Sequence, residues 1–505
     1  MEEAMSSEQS AQSELVGGLA ISQLVGREDH DRDRGGAEET GLKRRLWVET
    51  KKLWHLVGPT ILSRICTATF AVVTQAFAGH LGDVELASIS IVNTVILGFC
   101  FGLVTGMSSA LDTLCGQAFG AKSYHMLGIH LQRSCIVLLL CCCLLLPVYI
   151  FTTPVLKLLG QPHDVAVQSG LVAVWSIPQH MSFAFVLPAF KFLQAQLKPG
   201  VFAWVSMGTL GVHVAISWLF MYKFRFGVVG IAVALDVSWW IMVVGMFGYV
   251  LCGGCPETWT GFSVNAFSGL WDFFKLSAAS GVMICLENWY YRILVLMTGN
   301  LKNSTLALDA LLVCMNVNAW EMMIPISFFA AIGVRVANEL GAGNGKGAKF
   351  ATKVSVGQSL SIGILFSLLI ILFNHKLAMI FSSSHDVIQA VGKLSYLLAL
   401  TILFNSVQPV LSGVAVGSGW QSWVAYINIG CYYLIGIPVG LLLGRVFNFG
   451  VKGIWGGMIF GTAVQTTILA IITILCDWEK EAQKAVLRVK HLSSPNPDDD
   501  QLING

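Results

Sequence analysis

The chain has 505 residues, of which 55% are hydrophobic and only 12% are charged. Soluble proteins have about 25% charged residues, so this chain carries too little charge to coat a water-soluble globule, and a soluble enzyme is not expected. The net charge of +2 is too small, and the charges are too scattered, for a nucleic-acid-binding surface.

Polar segments at both ends flank the apolar part of the chain. Residues 1–45 include the charged run Arg27–Arg34 and no apolar core of a signal peptide. We predict that residues 1–45 form a disordered cytosolic tail, and that residues 479–505 form a cytosolic C-terminal tail.

Apolar stretches long enough to cross a hydrocarbon layer, which takes about 20 helical residues, follow one another between these ends. Because backbone groups in lipid must be hydrogen-bonded within their own segment, each stretch is expected to be a helix. The predicted fold is an all-α polytopic membrane protein with twelve transmembrane helices. The predicted spans are 52–77, 88–112, 132–153, 167–190, 201–222, 228–251, 270–298, 308–332, 354–375, 392–413, 424–445 and 451–476.

Lys and Arg residues predict the orientation, because cytosolic loops carry an excess of them. With the N-terminus inside, more of these residues fall in cytosolic segments than on the opposite side. The cytosolic set includes Lys43, Arg44, Lys191, Lys346 and Lys480. Both termini are therefore predicted to be cytosolic.

Short sequence matches indicate an internal repeat. Phe226–Ile231 recurs as Phe449–Ile454, and further matches keep the same order at a nearly constant offset along the chain. These are His163 with His385, Gly120 with Gly341, Pro188 with Pro409 and Gly79 with Gly299. They predict two six-helix lobes, 46–252 and 270–478, joined by a cytosolic linker at 253–269. Since six crossings return the chain to its starting side, the lobes are parallel repeats, a transporter architecture with its substrate site near the membrane midplane.

Motifs for enzyme chemistry are missing from the sequence. Gly341–Gly347 lacks the spacing and the Ser or Thr of a phosphate-binding loop. Most of the thirteen cysteines lie in apolar runs, where thiols behave as small hydrophobic groups. We expect no enzymatic activity, no metal site and no cofactor, which leaves an ion gradient as the energy source.

Glu287 is the leading candidate for a proton-binding residue. It lies in the middle of the seventh span, within the aromatic-rich segment Cys285–Tyr291. Ionisable residues at membrane depth are costly and mark functional sites, and a low dielectric favours the neutral carboxyl group. The alternative is a structural ion pair with Arg292.

Other charged residues also lie within predicted spans, and three of them are considered for a role in transport. Glu321, in the eighth span, is the second candidate acid. Asp236, in the sixth, is expected to be structural rather than functional. Arg64, in the first, could pair with a carboxylate or meet an anionic substrate.

Two acidic residues and one histidine are expected to have no transport role. Asp112 and Asp309 fall near predicted span ends, where water can solvate them. His213 lies alone in an apolar span and is expected to be a hydrogen-bonded core residue.

Aromatic residues near the candidate acid are possible cavity residues. Trp289 and Tyr290 could bind flat organic substrates by stacking or cation–π contact, or could simply lie at a membrane interface. The interfacial role is expected for Trp204, Trp239 and Trp240.

Several sequence motifs, which occur in the same order along the chain, resemble those of the plant members of the multidrug and toxic compound extrusion (MATE) family, the DETOXIFICATION proteins. The resemblance extends from about residue 50 to about residue 478. The matching segments are Gly79–Ala87, Gly106–Ala121, Glu257–Ser263, Cys285–Tyr290, Val334–Gly343 and Leu411–Trp420.

The resemblance implies two six-helix lobes around a cavity and export of organic compounds in exchange for protons. It places the family's acidic residue of the seventh helix on Glu287. A cooperating Asp of the tenth helix in some plant members corresponds to Asn405, which cannot titrate. This departure gives Glu321 more importance, and we add Asn405 and Gln408 as possible cavity residues.

The sequence thus predicts a secondary antiporter that exports organic compounds from the cytosol across the vacuolar or plasma membrane. Its expected partners are a small organic substrate, protons and the lipid bilayer, with no nucleic acid, and it is expected to act as a monomer. The alternatives are an anion channel and a flippase for lipid-linked substrates.

Overall fold

The computed structural model describes residues 41–299 and 305–493, which form helices joined by short connections without any β-strand. The twelve membrane helices are α1 Leu42–Gly79, α2 Asp83–Gly120, α3 Tyr124–Ile150, α4 His163–Trp175 with Ile177–Ala195, α5 Pro199–Lys223, α6 Gly227–Gly254, α7 Leu270–Gly299, α8 Thr305–Gly341, α9 Gly345–Phe381, α10 His385–Ser418, α11 Gln421–Val446 and α12 Gly450–Leu475. A thirteenth long helix, α13, covers Trp478–Ser493. A short helix, Thr152–Leu158, follows α3, and a 3-10 turn, Val264–Phe267, precedes α7.

Every predicted span coincides with one of these membrane helices. In the described part of the chain, ten are long and apolar enough to cross a membrane, and the two parts of α4 together form an eleventh. α7 contains Asp272, Lys275, Glu287 and Arg292, but its 30 residues exceed the length that a crossing needs. The all-α polytopic fold is therefore confirmed.

Helices occupy the described parts of both predicted tails. Residues 1–40 and 494–505 lie outside the described residues, so disorder there stays a prediction. α1 begins at Leu42, before the predicted tail ends, and α13 occupies most of the described C-terminal segment. By its contacts the chain divides into two units, residues 1–49 and residues 50–505.

α4 bends by 44° at Ser176. The bend frees backbone N–H groups at the start of the second part, and the Gln179 N–H donates to the Asp236 carboxylate of α6 over 3.1 Å. The Trp240 indole donates to the Pro178 carbonyl over 3.0 Å. Asp236 thus joins α6 to the bend of α4, and its lack of a transport role stays a prediction.

The internal repeat is visible in backbone geometry. The connection before α6 places Arg225 at φ 54° and Gly227 at φ 59°, and the connection before α12 places Asn448 at φ 58° and Gly450 at φ 58°. These left-handed conformations are tolerated best by Gly and Asn. The same turn is therefore built twice, at corresponding places in the two halves.

The repeat also explains a close contact between α2 and α8. A Cβ atom on Gly120 would collide with the backbone of Asn338, and a Cβ atom on Gly341 would collide with the backbone of Gln117. Aligning the two halves on Gly120 and Gly341 also aligns Gln117 with Asn338. Such reciprocal contacts are those of a two-fold axis, here relating the two halves of one chain.

Each half has its own hydrophobic core. One cluster of buried residues extends from Phe70 to Val250 in the first half and also includes Phe273 at the start of α7, and a second extends from Tyr290 to Ile459 in the second half. Trp239 lies in the first core with 8% of its surface exposed and contacts Phe183 edge to face. The predicted interfacial position of Trp239 is therefore wrong.

The two halves are hydrogen-bonded to each other near the ends of α2 and α10. The Thr113 hydroxyl donates to the Val416 carbonyl over 2.5 Å, and the Gln117 side chain donates to the Gly417 carbonyl over 3.1 Å. The Gln421 side chain donates to the Thr113 hydroxyl over 2.7 Å.

α13 contacts both halves at this same end. Its apolar face is buried, and Arg488 Nη1 donates to Gln117 Oε1 of α2 over 3.0 Å. The Trp420 indole, next to α11, donates to Glu481 Oε2 over 3.1 Å. α13 therefore adds to the direct contacts between the halves.

Replacing Arg488 with Ala should lower the stability of the protein by about 1.5–3 kcal/mol, because a charged donor to the buried Gln117 side chain is lost. Thermal unfolding of the purified protein measures this change. Lys490→Ala, at an exposed position on the same helix, is the matched control and should change stability by less than about 0.5 kcal/mol. Equal melting temperatures for the two variants would contradict the role given to Arg488.

Candidate functional site

Glu287 is half-buried in α7 and faces α10 and α11. Its Oε1 accepts hydrogen bonds from the Gln408 amide over 3.1 Å and from the Asn428 amide over 3.2 Å. The Ser412 hydroxyl lies 3.4 Å from the same atom. Gln408 and Ser412 belong to α10 and Asn428 to α11, so three neutral donors converge on one carboxyl oxygen.

The alternative ion pair between Glu287 and Arg292 does not form. Arg292 Nη1 instead donates to the Thr94 carbonyl of α2 over 2.9 Å. Among the described residues, no ion pair includes Glu287. The charge state of Glu287 is therefore not fixed by a neighbouring cation.

Glu321 lies on α8 with 5% of its surface exposed. Both of its carboxyl oxygens are buried without a hydrogen-bond partner among the described residues. An ionised carboxylate in such a place is strongly disfavoured, since neither a counter-charge nor a donor offsets its desolvation. This environment favours the protonated form.

A chain of hydrogen bonds joins the helices that carry the two acids. The Tyr291 hydroxyl, one turn after Glu287, donates to Asn405 Oδ1 over 2.7 Å. The Asn405 amide donates to Asn318 Oδ1 over 3.2 Å, and Asn318 lies one turn before Glu321. Asn405 thus links α7 to α8 through neutral groups.

Tyr291 was missed by the sequence reasoning, although its spacing gave a signal. Residues four apart lie on the same face of a helix, so Tyr291 follows Glu287 on the side of α7 that faces the rest of the site. Together with Tyr290, Asn405 and Thr462 it lines a narrow cavity.

The two predicted aromatic cavity residues have different surroundings. Tyr290 is fully buried, stacks on Tyr432 with ring centroids 4.3 Å apart, and donates to the Met458 carbonyl over 2.8 Å. Trp289 is 39% exposed and stacks on Phe99 of α2 with centroids 5.5 Å apart. Tyr290 is thus part of the wall of the narrow cavity, and Trp289 contacts the other half.

Asp112 corrects the sequence interpretation. It is 1% exposed and pairs with Lys191 of α4 at 2.5 Å between Oδ2 and Nζ. α2 continues to Gly120, well past the predicted end of the span, so Asp112 lies inside the helix. Lys191, assigned to a cytosolic segment, is buried as well, with 6% of its side chain exposed.

His213 is the core residue that was predicted. Its ring nitrogens lie 2.9 Å from the Ser238 hydroxyl and 3.3 Å from the Thr74 hydroxyl, and the residue is fully buried. Hydrogen bonds on both ring nitrogens explain how a polar ring is accommodated in an apolar span.

Replacing Tyr291 with Phe should lower the free energy of unfolding by about 1–3 kcal/mol, because the fully buried Asn405 amide oxygen loses its donor. Thermal unfolding of the purified protein measures the change. Tyr396→Phe, at a position of α10 with 68% exposure, should have no effect. A Tyr291→Phe variant as stable as wild type would show that the link through Asn405 contributes nothing.

Repeated six-helix halves, a helical membrane domain and a carboxyl group held between helices define the class of protein as a polytopic membrane transporter. The MatE family model matches the chain twice, at residues 59–219 and 279–442, once in each half. The chain belongs to this family of transporters and is not an enzyme.

The chain is similar in sequence and in structure to known transporters. The chain is 64% identical over 461 residues to Protein DETOXIFICATION 27 of Arabidopsis thaliana, covering 91% of this chain and 95% of that protein. It is also 36% identical to the eukaryotic MATE transporter AtDTX14, whose crystal structure superimposes with a TM-score of 0.83 over 88% of this chain and 99% of that one. The protein is therefore a transporter of the DETOXIFICATION type.

A more distant structure shares the fold. The Vibrio cholerae MATE transporter VcmN, in its bent form, superimposes with a TM-score of 0.74 at 16% identity and covers 88% of this chain and 99% of that chain. The arrangement of the twelve helices is thus common to plant and bacterial members.

Proposed function

We propose that this transporter exports organic compounds from the cytosol in exchange for protons, with Glu287 as the main proton site. The observation that carries the proposal is the environment of Glu287, which is bonded to three neutral donors and, among the described residues, to no cation. Amide and hydroxyl groups can hydrogen-bond to a carboxyl group in both of its protonation states, whereas a paired cation would keep it ionised.

Glu321 is proposed as the second acid of the site. Its unpartnered carboxyl oxygens support a group that is neutral in this conformation and can ionise only when water or a donor reaches it. The hydrogen bonds through Tyr291 and Asn405 join α7 and α8. A movement of α7 that follows protonation of Glu287 would therefore also move α8 and change the surroundings of Glu321.

Transport in this proposal follows from competition. Protonation of Glu287 on the acidic side changes its hydrogen bonds to α10 and α11 and favours release of the substrate. Loss of that proton on the cytosolic side restores these bonds and allows the site to be loaded again. Asn405 and Gln408 would hold the helices around the site, and Trp289 and Tyr290 would supply apolar contact area.

The orientation and the membrane are part of the same proposal. Both termini are proposed to be cytosolic, with export to the vacuole or to the cell exterior, and the protein is proposed to act as a monomer. The excess of Lys and Arg on one side of the predicted spans supports this orientation.

Transport into sealed proteoliposomes with an imposed pH gradient tests the proposal. The purified protein should move fluorescent organic compounds against the proton flow, and a trapped pH dye should report protons moving in the opposite direction. Currents that follow a chloride gradient and ignore pH would indicate an anion channel instead. Movement of lipid-linked compounds without proton flow would indicate a flippase.

A further inference from the structure

Arg64 is a cation in the middle of α1 whose buried Nε has no hydrogen-bond partner among the described residues. Its Nε is fully buried and unpartnered, while the residue as a whole is half-buried. A guanidinium group has five N–H donors, and leaving the buried Nε–H unused inside a membrane span is costly. The structure therefore raises the question of which anion Arg64 meets.

The Asp112 carboxylate does not provide a full counter-charge for Arg64. Arg64 interacts electrostatically with Asp112, but Asp112 is already bonded to Lys191 at 2.5 Å. Two cationic groups thus share one carboxylate, and the cluster of Arg64, Asp112 and Lys191 has a net charge of +1. A single anionic group would neutralise it.

Arg64 lies where α1 passes between the two halves. Before it, Leu53, Leu56 and Val57 pack into a core together with residues of α8, α9 and α10. After it, Phe70 and Ala78 belong to the core of the first half. Arg64 therefore lies at the junction of the halves, where transporters built from such repeats bind their substrates.

The internal repeat relates this cationic cluster to the proton site. The offset that aligns Gly79 with Gly299 also aligns Thr67, one helical turn after Arg64, with Glu287. The offset that aligns Gly120 with Gly341 likewise aligns Lys191 with Ser412, whose hydroxyl lies 3.4 Å from Glu287. The first and fourth helices of the first half, α1 and α4, thus carry a cationic site. The corresponding helices of the second half, α7 and α10, carry the acidic site.

We infer that Arg64 binds an anionic group of the transported compound, so that the substrate class is organic anions that carry a carboxylate. The guanidinium fork suits a carboxylate because it can donate two parallel hydrogen bonds. The inference rests on the proposed export function, to which it adds the charge of the substrate.

Binding of two xanthene dyes to the purified protein tests the inference without a pH gradient. Carboxyfluorescein is an anion and rhodamine 123 is a cation on the same ring system. Arg64→Gln removes the charge and leaves the Asp112–Lys191 pair intact, and Arg64→Lys keeps the charge. We expect Arg64→Gln to weaken carboxyfluorescein binding by about tenfold or more, as for a lost charged hydrogen bond. Arg64→Lys should lose less, and rhodamine 123 binding should not weaken in either variant.

Two results would overturn the inference. The first is wild-type carboxyfluorescein affinity in a folded Arg64→Gln protein, with folding checked by its melting temperature. The second is full competition by chloride alone at equal concentration, which would indicate a halide site. Dye binding is measured at constant pH without a gradient, whereas the trapped pH dye in proteoliposomes reports proton movement, so a failure of anion binding and a failure of proton coupling are distinguishable.

Discussion

Transport driven by a pH gradient should be abolished when Glu287 is replaced with Gln. The substitution keeps the size of the side chain and one carbonyl oxygen, which can still accept from Gln408 and Asn428. It removes the negative charge and the ability to bind and release a proton. The protein should therefore stay folded while the gradient no longer drives net movement.

Proteoliposome uptake with and without an imposed pH gradient measures this prediction. Asp386→Asn is the matched control, because Asp386 is an exposed acid in the first turn of α10, and it should transport like wild type. Glu321→Gln should reduce the gradient-driven rate without abolishing it, since Glu321 is proposed as the second acid. Wild-type rates in Glu287→Gln would remove Glu287 from the mechanism.

The spans, the repeat and the position of Glu287 could be predicted because each leaves a local pattern in the sequence. The partners of Glu287 could not. Gln408 and Asn428 are 121 and 141 residues away along the chain, and only helix packing brings them to one oxygen. A single sequence gives the depth of a residue in the membrane, but not the face of the helix on which its neighbours lie.

Asp112 shows a different limit. Its predicted solvation depended on the end of the second span, which was set by the polar residues after it. The helix continues through Thr113, Gln117 and Gly120 because these groups contact the other half of the protein. Polar residues that bond across an internal interface look the same in sequence as polar residues in a loop.

α13 was missed although its sequence carried a helical pattern. Trp478, Ala482, Ala485 and Val489 are spaced by four, three and four residues, and all four are buried. This spacing is typical of one face of an amphipathic helix. The many charges between them led to the prediction of a tail, where the periodicity of the few apolar residues was the better guide.

Replacing Lys191 with Met should destabilise the protein by about 3–5 kcal/mol, the usual cost of breaking a buried ion pair from one side. Asp112 would be left as a carboxylate with 1% exposure and without the cation to which it is bonded. The cost should fall as the pH decreases, because a proton can then neutralise Asp112. Thermal unfolding of the purified variant over a range of pH measures both effects.

The double variant Asp112→Leu/Lys191→Met distinguishes the cost of an uncompensated charge from the cost of altered packing. Replacing both charges with apolar groups of similar volume is often neutral or stabilising, so this variant should recover most of the stability lost in Lys191→Met. It would also leave Arg64 as the single charge of the cluster. If the double variant is as unstable as Lys191→Met at every pH, the loss comes from packing around Lys191 and not from an uncompensated carboxylate.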